Sequence, residues 1–127
     1  MNLNEIMKEI HENALNHGWW EEERSFGEII ALCHSELSKA LEEYRNCKPI
    51  RYYVCDGHIC TDDCNTCEND CRHERDDKPE GLEIELADTI IRILDYCGHV
   101  GIDIEEAIRI KHEYNKTREF RHGGKKI

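Results

Sequence analysis

The sequence predicts an all-α protein built from four helices. Apolar residues recur at helical spacing in four separate segments. Two of those segments open on a capping signature, and no stretch shows a competing strand pattern. The 127 residues suit one domain, 1–127.

The first helix is expected over about 4–16. Ile6, Ile10 and Ala14 lie along one face with Met7 beside them, and Gly18 supplies the stop. The second begins near Ser25, with Glu28 three residues on, and ends by Asn46 because Pro49 follows closely. Its apolar face is Ile29, Ile30, Cys33, Leu37, Ala40, Leu41 and Tyr44. Residues 47–78 read as a cysteine-rich insertion between helices, with at most a short extended piece at 51–54. The third helix is expected to start near Pro79, which suits a first helical turn, and to end at Gly98. It is apolar over most of its circumference. In so small a chain that predicts a subunit interface along it, in a homodimer or homotetramer. The fourth helix has Asp103 as N-cap with Glu106 as its partner and runs to about Lys116, where a basic tail, 117–127, begins.

The net charge of −11 argues against a nucleic-acid polymer as partner and suits a site that gathers cations. The charge is uneven, since residues 109–126 hold seven Lys/Arg against two Glu. No run approaches the roughly 20 apolar residues of a membrane helix, and the polar start has no signal-peptide core. A cytoplasmic location with no membrane partner is therefore expected.

Within the apolar third helix sit Glu85, Asp88, Arg92 and Asp95, on one narrow stripe. Carboxylates set into a buried helix are costly unless a cation neutralises them. Either Arg92 does this alone, or a hard cation such as Mg²⁺ is held there. If the second and third helices pack side by side, Glu36 converges with Glu85 and Asp88. Glu42 reads as a surface charge, and so does Glu43.

The segments Ser35-Glu36-Leu37-Ser38-Lys39-Ala40-Leu41-Glu42-Glu43-Tyr44 and Glu85-Leu86-Ala87-Asp88 together resemble the MazG-like all-α NTP pyrophosphohydrolases, which carry E-x-x-E on one helix and E-x-x-D on the next. His17-Gly18-Trp19-Trp20, Pro79-Glu80-Gly81-Leu82, Tyr114-Asn115-Lys116-Thr117-Arg118 and Arg121-His122-Gly123-Gly124-Lys125 are similar to the family as well. The likeness covers about 5–46 and 79–126, not the cysteine segment. It implies a MazG-like four-helix bundle that hydrolyses a nucleoside triphosphate to NMP and pyrophosphate. Mg²⁺ or Mn²⁺ would sit on Glu36, Glu85 and Asp88. Lys39 stands where the family has its second E, so three of four carboxylates remain. An ammonium cannot ligate a metal, but it can pair with a carboxylate or touch a phosphate. An unligated carboxylate, Glu43 or Asp95, or the metal alone would activate water. Lys111, Asn115, Lys116, Arg118, Arg121 and Lys125 are candidate phosphate contacts, unless the tail is a solvated end. Trp19 and Trp20 offer faces for a base, or plug the first two helices.

Cys60, Cys64, Cys67 and Cys71 follow C-x3-C-x2-C-x3-C. Either they bind structural Zn²⁺, or they are free thiols or disulfides in a loop. One straight helix would hold Cys60 and Cys71 about 16 Å apart, so a shared ion needs the segment to fold back or to pair between chains. Cys33 and Cys97 lie on apolar faces and read as core. Beside the hydrolase stand two alternatives. One is a non-catalytic nucleotide-binding or regulatory protein whose metal site Lys39 has disabled. The other is a metal-binding interaction module on a helical scaffold.

Overall fold

In the computed structural model, residues 2–55, 57–61 and 78–127 are described. The described residues are mostly helical, 65% helix against one small hairpin, in keeping with the all-α expectation. The elements are α1 (Leu3–Asn16), α2 (Phe26–Arg45), β1 (Tyr53–Cys55), β2 (His58–Cys60), α3 (Leu82–Val100), α4 (Ile104–Lys116) and α5 (Arg121–Gly124). No helix among the described residues is long and apolar enough to cross a membrane.

The helices start where their caps dictate. The Asn2 side chain accepts from the amides of Asn4 and Glu5, Ser25 from Glu28, and Asp103 from Glu106. The antiparallel hairpin, Tyr53 opposite Cys60, falls in the segment read as an insertion. The sequence pointed only to a short extended piece there. Three-residue strands carry too little alternation to stand out.

Both ends of α3 differ from expectation. Pro79 does not begin it, because Glu80 is held extended by two backbone hydrogen bonds with Tyr52, at 3.0 and 2.9 Å. Gly81 then turns the chain at φ +116, and a Cβ there would lie 2.2 Å from the Ile50 carbonyl oxygen, so only glycine fits. Nor does Gly98 end the helix. It lies inside α3, and an added Cβ would stand 2.7 Å from His11 Cβ, so it is a point of close helix approach. The stop is Gly101 at φ +78, with the Ile102 amide bonded back to the Cys97 carbonyl at 2.9 Å. In α5, Arg121, His122, Gly123 and Gly124 all have positive φ, so the basic tail ends in a left-handed turn rather than a regular helix.

The chain forms two compact units, Met1–Glu22 with Leu94–Ile127, and Glu23–Ile93. In the first, Met7, Leu94 and Cys97 make the core, with Leu3, Ile6, Ile10 and Ile104 packed on it. In the second, α2 buries Ile29, Cys33, Glu36 and Ala40, which helical spacing places on one stripe. One member of that buried stripe is a carboxylate. The rest of the apolar face expected for α2 is open, with Leu37 at 44%, Leu41 at 58% and Tyr44 at 70% exposure. On α3, Ile90 and Ile93 are exposed too.

Candidate metal centre

The second unit brings three carboxylates together. Glu36 comes from the buried stripe of α2; Glu85 and Asp88 stand one turn apart near the start of α3. One oxygen from each lies within 4.8 Å of the others. Glu36 is only 3% exposed, and both its oxygens are engaged. Arg92 Nε and Nη2 reach Oε1 at 3.0 and 2.9 Å, and Lys39 Nζ reaches Oε2 at 3.1 Å. Arg92 therefore neutralises Glu36, and Lys39 pairs with the same carboxylate.

The three acids differ electrostatically. Burial pushes Glu36 up, but hydrogen bonds from Arg92, Lys39 and Glu85 outweigh it and hold the group below the usual range. Glu85 is raised, first by burial and then by its hydrogen bond to Glu36 and the charge of that neighbour. Asp88 is raised by burial and by the Glu36 charge. Of the two neighbours, Glu36 therefore favours its charged form and Glu85 is shifted toward its neutral form.

Glu43 is not the solvated surface charge expected. It is half-buried, and the Tyr52 hydroxyl donates to both its oxygens at 3.0 Å each. Tyr52 is itself buried and pushed up to about 12, by burial first and then by Glu43, with smaller contributions from Glu80 and Glu85. Sequence reasoning missed Tyr52, because nothing in a single tyrosine announces its hydroxyl's partner.

Asp95, the two tryptophans and the candidate phosphate contacts lie in the first unit. Asp95 accepts from Trp20 Nε1 at 3.0 and 3.1 Å and pairs with His11 Nδ1 at 2.8 Å. Trp20 stacks on His99 at 3.7 Å, so it is a packing residue; Trp19 is exposed. Lys111 and Arg118 sit over the Tyr114 ring, Arg121 over Phe120, and Lys116 pairs with Glu113. Asn115 and Lys125 are exposed. A cleft of about 400 Å³ lined by Met7, His11, Gly98 and Asp103 contains none of the candidate metal- or phosphate-binding residues.

Of the four candidate zinc ligands, Cys60 is fully buried in β2, and Cys64, Cys67 and Cys71 lie outside the described residues. Cys33 and Cys97 are buried, and burial pushes both thiols up, as befits core positions. In comparisons with known proteins, the chain matches no family model, no curated protein and no solved structure.

Proposed function

We propose that this chain is a divalent-metal-dependent nucleoside triphosphate pyrophosphohydrolase of the MazG-like all-α type. The observation that carries this reading is the approach of Glu36, Glu85 and Asp88 to within 4.8 Å of one another. Their chemistry fits the ion, since Mg²⁺ takes hard carboxylate oxygens. When bound, the metal neutralises phosphate oxygens and lowers the pKa of a coordinated water.

This chain's residues do the rest. Glu85 and Asp88 would serve as ligands in their ionised forms. Glu36, fixed by burial, anchors the cluster. Arg92 and Lys39 supply positive charge beside the phosphates. Glu43, held by Tyr52, or Asp95, held by His11 and Trp20, would be the carboxylate that orients water. Lys111, Asn115, Lys116, Arg118, Arg121 and Lys125 are the proposed phosphate contacts. The same reading takes the helices as a four-helix bundle with a cysteine-rich insertion, and the exposed apolar residues of α2 and α3 as a subunit interface. Zn²⁺ on the cysteine segment remains part of the proposal.

A second reading is favoured by one observation. Lys39 and Arg92 occupy both oxygens of Glu36, which suits a nucleotide-binding or regulatory protein without turnover. Pyrophosphate release from a panel of NTPs and dNTPs with Mg²⁺ or Mn²⁺ separates the two. Metal-dependent release that Asp88→Asn abolishes supports the hydrolase. Nucleotide binding with no release supports the second reading.

A further inference from the structure

We propose that Arg92 and Lys39 are exchangeable counterions. They keep Glu36 closed to a bare divalent cation until a polyphosphate anion draws them away, so metal and polyphosphate bind with positive coupling. This rests on reading Glu36, Glu85 and Asp88 as metal ligands.

The asymmetry of exposure is the first ground. Glu36 is nearly shut off from water, with 5% of its side chain exposed, whereas Arg92 is 30% and Lys39 55% exposed. The anion is fixed and the cations have a way out. Geometry is the second. Arg92 places Nε and Nη2 on the single oxygen Oε1 instead of spanning both oxygens of the carboxylate. A guanidinium binds most strongly through two parallel bonds to two oxygens, and a phosphate offers that arrangement. Charge is the third. A divalent ion entering this cluster meets an ammonium and a guanidinium within a few ångströms, and the repulsion falls when both turn to an anion. Since each ligand relieves a cost imposed on the other, the coupling is reciprocal.

The test is Mn²⁺ binding by electron paramagnetic resonance, with and without inorganic tripolyphosphate, whose own Mn²⁺ complex is measured separately. Wild type is expected to bind Mn²⁺ at least about fivefold more tightly with tripolyphosphate present. Arg92→Gln should bind Mn²⁺ alone at least about fivefold more tightly than wild type and lose most of that enhancement. Arg92→Lys should keep it. A folded Arg92→Gln that binds Mn²⁺ alone no more tightly than wild type, or keeps the full enhancement, overturns the proposal. If Arg92→Gln does not fold, Lys39→Gln carries the same comparison from an exposed side chain. Asp88→Asn is the separate control. Unchanged Mn²⁺ binding there removes the ligand reading itself, whatever the Arg92 variants do.

Discussion

The Tyr52 hydroxyl donates to both oxygens of Glu43, and the Tyr52 backbone exchanges two hydrogen bonds with Glu80. One buried residue thus ties the last turns of α2 to the segment that leads into α3. Those two helices carry the three carboxylates of the candidate centre, so Tyr52 braces the frame on which they sit.

Tyr52 makes the alkaline limb of stability a direct test. Its pKa is raised from 10.0 to about 12, so the folded protein favours the neutral phenol. That contribution is full below about pH 10 and is lost as pH rises through about 12, amounting to roughly 2–3 kcal/mol. Tyr52→Phe should be less stable at neutral pH, by about 1 kcal/mol for the lost hydrogen bond. Its melting temperature should then fall less steeply than wild type between about pH 10 and 12. Parallel slopes in the two proteins would show that Tyr52 does not titrate with unfolding.

Much of the frame is legible in the sequence because its signals are local. Ser25 with Glu28 and Asp103 with Glu106 mark helix starts, and Glu85 and Asp88 share a face by their spacing alone. What is not legible is long-range. Glu80 is held out of α3 by Tyr52, and the glycine at 98 sits inside α3 where His11 comes too close for a Cβ. A local reading of Pro79 and Gly98 misses both contacts. The partners of Glu36 divide the same way. Lys39 is within a helical turn, whereas Arg92 is 56 residues distant.

Gly98→Ala should destabilise the protein although alanine favours helices. The new Cβ would meet His11 Cβ at 2.7 Å, side chain against the root of another side chain. Overpacking of this kind costs about 1–3 kcal/mol, more than the propensity gain of about 1 kcal/mol. Thermal denaturation should show a lower midpoint. A midpoint equal to or above wild type would mean that the two helices separate freely.

The exposed apolar residues of α2 and α3 predict self-association. Leu41 is 58% and Ile90 55% exposed, too much apolar surface for chance scatter when Leu37, Tyr44 and Ile93 are open as well. Sedimentation at micromolar concentration should give a multiple of the 15.0 kDa chain mass, and Ile90→Asp should shift it toward 15.0 kDa. A wild-type protein that sediments only at 15.0 kDa would rule the interface out.

Lys39→Glu should raise divalent-metal affinity and any pyrophosphohydrolase rate. Lys39 Nζ lies 3.1 Å from Glu36 Oε2, so a carboxylate at that position stands beside the cluster formed by Glu36, Glu85 and Asp88. The change removes a positive charge and adds a negative one. Even at an effective dielectric near 20, a unit charge a few ångströms away is worth on the order of several kcal/mol before solvation losses. The metal-free variant should be less stable than wild type, because Glu36 loses a counterion and gains a repelling neighbour while Glu85 and Asp88 are already raised. Mg²⁺ should reverse that loss, so its addition should raise the melting temperature of Lys39→Glu more than that of wild type. If wild type is active and Lys39→Glu is slower, the ammonium is a working phosphate contact. The site would then run on three carboxylates and a lysine.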